Sequence, residues 1–260
     1  MDLKTTFLMM GLLIGGVSCG GSGAKSSVDS TELSTDEIYP VIYVIGQGDQ
    51  TSTGFTLYRN TERGEGVVLG EGDSFTVSAF GNEITQEYVP SFLKTTSHVS
   101  YNIGLEGNVA GEEVVISFNR AWQEEPSVST AFLPDKITII SHSQFDTHLV
   151  SKDQVIQITW ETNTRSPTEV SLIAFCYSSQ ASNTTRLTTQ LILTTTHERS
   201  FQFNFGDLLN DPITSNPEYT ENCGAEFSVK NRGVSSLSEK FSGGRMEVMQ
   251  RDSIQFKFLD

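Results

Sequence analysis

The sequence predicts an all-β protein, arranged as two tandem β-sandwiches, and three observations carry that expectation. Apolar residues recur at every second position in short runs, the pattern of strands buried on one face. Phe75, Val77 and Ala79 alternate with Ser74, Thr76 and Ser78, and Val114, Ile116 and Phe118 repeat the pattern. So do Ile156, Ile158 and Trp160, then Phe201, Phe203 and Phe205, and finally Ile254, Phe256 and Phe258. Turn-forming residues separate the runs, at Gly46 to Gly48, Gly70 to Asp73, Gly81-Asn82, Gly107-Asn108, Ser166-Pro167 and Gly243-Gly244. Beyond the first 19 residues no segment keeps a helical period. The best candidate there is one turn at Asp207 to Asn210.

Composition supports real cores. Hydrophobic residues make up 37% of the chain, with 16 Phe and 7 Tyr, which argues against wholesale disorder. A sandwich takes about 100 residues, so 260 residues hold two once a leader and linker are set aside. The net charge of −15 repels a phosphate backbone, and no basic stripe offsets it, so nucleic acid is excluded as an expected partner.

The N-terminus reads as a signal peptide over residues 1–18. Lys4 supplies a short basic region and Phe7 to Ile14 an apolar core too short to span a bilayer. Gly15, Gly16, Val17 and Ser18 then lead into Cys19. This arrangement resembles the lipobox of bacterial lipoproteins. The resemblance implies cleavage before Cys19 and acylation of that residue, giving a stable membrane-lipid anchor. Gly20 rather than Asp follows the cysteine, which by the same resemblance favours the outer membrane of the bacterial envelope. Residues 19–37 are small and polar and are expected to form a flexible linker of roughly 20–25 Å root-mean-square span.

The first sandwich is expected over residues 38–133 and the second over 135–260, divided near Pro134-Asp135. In the second, Gln154 to Trp160 and Val170 to Tyr177 resemble core strands of immunoglobulin-like or fibronectin type III domains. That resemblance implies architecture only.

With Cys19 lipidated, Cys176 and Cys223 remain, an even pair in an oxidising compartment. A disulfide between them is expected to pin the polar stretch Pro217 to Gly224 to the sheet. No Cys-x-x-Cys and no histidine adjoins either residue, which disfavours a redox or metal role.

Motifs for chemistry are sparse. Gly72-Asp73-Ser74-Phe75 looks like the nucleophile block of the Gly-Asp-Ser-Leu hydrolases, but here Ser74 enters a strand pattern and no histidine follows His197. His142, Asp146 and His148 form the sharpest metal candidate, since imidazole and carboxylate ligate Zn²⁺; otherwise they belong to a surface loop. Glu62, Glu65, Glu71 and Asp73 flank glycine turns and read as solvated hairpin ends rather than a Ca²⁺ loop. Residues Gly64 to Gly70 lack the spacing of a dinucleotide fingerprint, and no cofactor is expected. Trp160 fits a core pattern, whereas Trp122 either serves recognition or caps the first sandwich. The expected function is therefore a non-catalytic, envelope-anchored module that binds a protein or glycan. The alternative is a hydrolase or metal-dependent enzyme whose site is dispersed in sequence.

Overall fold

The computed structural model describes residues 27–87, 99–142, 147–151, 154–177, 186–208 and 223–259. The chain is all-β there. Its strands are β1 (Val28–Asp29), β2 (Ile38–Gln47), β3 (Gln50–Arg59), β4 (Gly66–Val68), β5 (Ser74–Ala79), β6 (Asn82–Glu87), β7 (Ser100–Glu106), β8 (Glu113–Asn119) and β9 (Ser127–Phe132). They continue with β10 (Ile137–Ile139), β11 (Thr147–Ser151), β12 (Val155–Thr162), β13 (Thr168–Tyr177), β14 (Arg186–Thr196), β15 (Ser200–Asn204), β16 (Cys223–Arg232), β17 (Val234–Ser236) and β18 (Arg245–Leu259). One helical turn, α1 (Phe205–Leu208), interrupts them. The expected strand through Phe205 thus stops at Asn204, one residue short of the third phenylalanine.

One large sheet runs in the order β1-β4-β3-β2-β18-β16-β13-β14, with β7 added to β3 and β11 to β18. A five-stranded sheet, β17-β9-β8-β5-β6, covers one half of it, and a three-stranded sheet, β10-β12-β15, covers the other. Each covering sheet closes a core. The first core joins Ile38, Ile42, Phe55 and Leu57 to Phe75, Val77, Ile116 and Phe118. Phe55, Phe75, Phe118 and Phe241 stack in series through it, with centroid separations of 4.4, 4.8 and 6.0 Å. The second core packs Trp160, Ile156 and Phe203 against Leu172, Phe227 and Phe256. The alternating runs over 75–79, 114–118, 156–160, 201–203 and 254–256 are the inward faces of these strands, where burial of large apolar side chains drives the pairing.

β18 ties the halves together. Its first six residues pair in parallel with β2, from Arg245 opposite Val41 to Gln250 opposite Gly46. Its remainder pairs with β16 and, in parallel, with β11. The inward positions of this strand change character along its length. Met246 and Val248 join the first core, Ile254 and Phe256 the second, and the buried polar pair Gln250 and Asp252 lies between. Gln250 exchanges amide hydrogen bonds with Asn108, whose Nδ2 also reaches the Gly48 carbonyl at 3.1 Å. Asp252 accepts from the backbone amides of Ile139 at 2.7 Å and Ser253 at 2.8 Å. These groups satisfy each other where no apolar surface is available.

Two expectations need correction. A single cut near Pro134-Asp135 does not separate the cores, because Leu237, Phe241, Met246 and Val248 return to the first one and β17 pairs with β9. The unit expected over 135–260 therefore surrenders the stretch from β17 into the start of β18 to its neighbour. Of the linker expected over residues 19–37, the described part, from residue 27 on, packs on the fold. Val28–Asp29 pairs in parallel with β4, and Leu33, Ser30 and Thr35 are buried. A capping box between Ser34 and Glu37 closes the short 3-10 turn that follows. Small polar residues look dispensable in sequence, yet here they satisfy one another's backbone groups against the first sandwich.

Candidate functional site

One end of the first sandwich is organised by Arg120. The alternation Val114, Ile116, Phe118 continues inward to position 120, so the sequence delivers a guanidinium where the core ends. Its side chain and that of Asp73 are both wholly buried, with Arg120 Nε 3.3 Å from Asp73 Oδ2. Arg120 also donates to the carbonyls of Ser30 and Leu33 and to Thr35 Oγ1. Asp73 accepts in turn from Ser30 Oγ at 2.7 Å and the Ala121 amide at 3.0 Å. Burial pushes the guanidinium below its ordinary pKa, and the Asp73 charge opposes that shift. A Cβ on nearby Gly70 would lie 1.9 Å from Asp29 Oδ1, so any larger residue there would have to displace the Asp29 side chain. The N-terminal segment is thereby clamped onto the β5 and β8 ends.

Trp122 sits on this clamp. The Arg120 guanidinium carbon lies 4.6 Å from its ring centroid, and the residue remains 54% exposed. The indole covers the buried arginine with one surface and meets solvent with the rest.

The histidines expected as metal ligands come together in the second sandwich. His142 follows β10, and His148 lies on β11 directly opposite Phe256 of β18. Their ring centroids are 4.8 Å apart, and both rings pack on Phe256, at 5.6 and 5.8 Å. Ser141 Oγ, fixed by accepting from the Thr159 amide at 3.0 Å, lies 2.8 Å from His142 Nδ1. Burial, and then the charge of His148, lowers the pKa of His142, which favours its neutral, ligand-competent form. Asp146 lies outside the described residues. Among the described residues no third His, Cys, Asp or Glu completes a metal cluster.

The outer face of the large sheet carries a charge ladder that the sequence reading missed. Arg232 holds Glu169 with two nitrogens and also meets Glu247 at 3.1 Å, while Arg245 reaches Glu247 at 3.4 Å and Glu62 at 2.9 Å. A shallow open depression of about 570 Å³ beside it is lined by Glu169, Ser171, Leu193, Lys230 and Arg232. Burial lowers the pKa of Lys230 there, with Arg251 adding to the shift. The cross-strand register, Glu169 opposite Lys230 opposite Arg251, builds this ladder, and only pairing of distant strands reveals it.

The other sequence candidates fall into structural roles. Cys176 and Cys223 form the expected disulfide. It joins directly opposed residues of β13 and β16, at the first position of β16, and residues 217–222 of the stretch it was expected to pin lie outside the described residues. Ser74 opens β5, and its Oγ accepts from Asn119 Nδ2 at 3.3 Å. Asp73 is no solvated hairpin end but the buried partner of Arg120, and Glu62 pairs with Arg245. Cys19 lies outside the described residues.

No family model and no curated protein matches the sequence. Among solved structures, the chain is similar to a crystal structure of a point mutant of Salmonella α-2-macroglobulin. The similarity has 10% identity and a TM-score of 0.25, over 88% of this chain. The chain spans 16% of the length of that protein.

Proposed function

We propose that the chain is a lipid-anchored, non-catalytic binding module of the bacterial envelope, which engages its partner through the end that bears Trp122. The observation that carries this reading is the mounting of Trp122. A tryptophan held on a buried arginine, with 54% of its surface left to solvent, presents a large apolar contact that loses little side-chain freedom on binding. Trp and Arg are enriched among residues that dominate interface energetics for this reason.

The resemblance of residues 1–19 to a lipobox supports the anchor, with Cys19 as its acceptor. The clamp then adds a spatial constraint. Arg120 binds the carbonyls of Ser30 and Leu33, so the N-terminal segment enters the fold at the Trp122 end. Eight residues lie between Cys19 and Val28, so the two are at most about 30 Å apart. The partner is thus an envelope protein or glycan lying close to the membrane surface.

In-situ cross-linking of the native protein, with mass spectrometry of captured species, tests the reading. A reproducible envelope protein, lost in Trp122→Ala while the melting temperature holds, is the expected result. Glycan capture lost in the same variant would keep the module and change the partner class. Capture that persists in Trp122→Ala would move the interface elsewhere. Acyl labelling that persists in Cys19→Ser would remove the anchor.

A further inference from the structure

Two histidines, one in the segment after β10 and one on β11, pack against one phenylalanine, and nothing in the binding role proposed above uses them. We propose that His142 and His148 form a site for a divalent transition-metal ion, bound by two imidazole nitrogens and completed by water. The geometry of the pair supports it. A metal about 2.0–2.1 Å from one nitrogen of each ring, with an angle of about 90–110° at the ion, places the centroids about 4.5–5.2 Å apart. The observed separation is 4.8 Å, with the ring planes at 79°, an angle that rotation about the two metal–nitrogen bonds permits.

The surroundings add the features that such a ligand pair needs. Ser141 Oγ engages His142 Nδ1 and leaves Nε2 as the nitrogen that turns to the ion. The Thr159 amide holds that hydroxyl in place, so the ligand is oriented by a group that is itself oriented by the sheet. Phe256, buried in the second core, floors the pair and fixes the depth of both rings. Two imidazole nitrogen donors without thiolate suit Cu²⁺, Ni²⁺ and Zn²⁺ rather than Ca²⁺ or Mg²⁺. A bound ion would clip β11, an outlying strand of the large sheet, to the segment after β10 in the facing sheet.

The test uses the full-length, tag-free, detergent-solubilised protein, stripped of metal and titrated with CuSO₄, NiCl₂ or ZnCl₂. Calorimetry is expected to find one saturable site with Cu²⁺ bound more tightly than Ni²⁺ or Zn²⁺. The Cu²⁺ complex should show electron-spin-resonance hyperfine structure from two nitrogens. His142→Ala and His148→Ala should each weaken binding roughly tenfold or more, and Ser141→Ala by about tenfold, whereas His197→Ala should leave it unchanged. Should a variant fail to fold, histidine resonances of the wild-type protein decide: substoichiometric Ni²⁺ should broaden two of the four. The proposal is overturned by the absence of a saturable site, by unchanged affinity in the His142→Ala/His148→Ala variant, or by uniform broadening of all four histidines.

Discussion

At the scale of single residues, the polar groups that matter most are buried ones. Arg120 and Asp73 lie at the end of a hydrophobic stack, where an unpaired charge would be costly. Their mutual approach and the bonds to Ser30, Leu33 and Thr35 offset part of that cost. The same logic governs Asp252, though incompletely. Burial raises its pKa above the ordinary value of 3.8, while its two backbone hydrogen bonds work in the opposite direction. The folded state therefore holds this proton more tightly than the unfolded chain does. Between pH 3.8 and the raised folded value the unfolded state binds fewer protons, so the Asp252 contribution to stability falls as pH rises. Asn keeps an acceptor oxygen and removes the charge. Urea unfolding of wild type and Asp252→Asn across pH 4–7 should show wild type losing stability relative to the variant as pH increases. A relative gain with pH would contradict the burial-dominated shift.

At the scale of elements, the inward faces of strands were readable and their neighbours were not. Phe75, Val77, Ala79 and Ile156, Ile158, Trp160 announce buried faces through period two alone, because alternate side chains leave opposite faces of a strand. Nothing local says that β18 lies beside β2, or that Cys176 faces Cys223. The disulfide spans 47 positions in sequence, so closing that loop constrains the unfolded chain by about 4 kcal/mol in the chain-entropy model. Neighbouring register pairs from Glu169–Lys230 to Phe175–Gly224 hold β13 to β16 independently. Replacing both cysteines with serine should thus lower unfolding free energy by about 2–4 kcal/mol while preserving the β-rich circular-dichroism spectrum. Loss of that spectrum under native conditions would mean that the bridge determines the pairing rather than reinforcing it.

At the scale of the molecule, the two cores share one sheet. β18 contributes Met246 and Val248 to one and Ile254 and Phe256 to the other, with the Gln250 and Asp252 hydrogen bonds between them. Unfolding either core would strip pairing from a strand that the other also uses, so the halves are expected to unfold together. The chain supplies its own reporters: Trp160 lies within the second core, and Trp122 is mounted on the end of the first. Fluorescence of Trp122→Phe and Trp160→Phe during urea denaturation should give coincident midpoints. Well-separated midpoints would establish independent units and restore the division near Pro134-Asp135.

The candidate site divides along the same line. Trp122, the cysteine pair and the two histidines were visible as residue types that carry contact, cross-linking or ligation. Arg120 was visible only as the next position of an alternating run. The clamp it forms needed Ser30 and Asp73 from distant segments, and the charge ladder needed three strands in register. By itself the sequence determined the all-β class, the inward faces and which residues are chemically equipped to act, because those follow from side-chain type and a two-residue period. Tertiary structure alone decided that Ser30, Leu33 and Thr35 are buried, that Leu237, Phe241, Met246 and Val248 belong to the first core, and that His142 meets His148. Those outcomes depend on pairings between segments far apart in the chain, and a single strand carries no record of its partner.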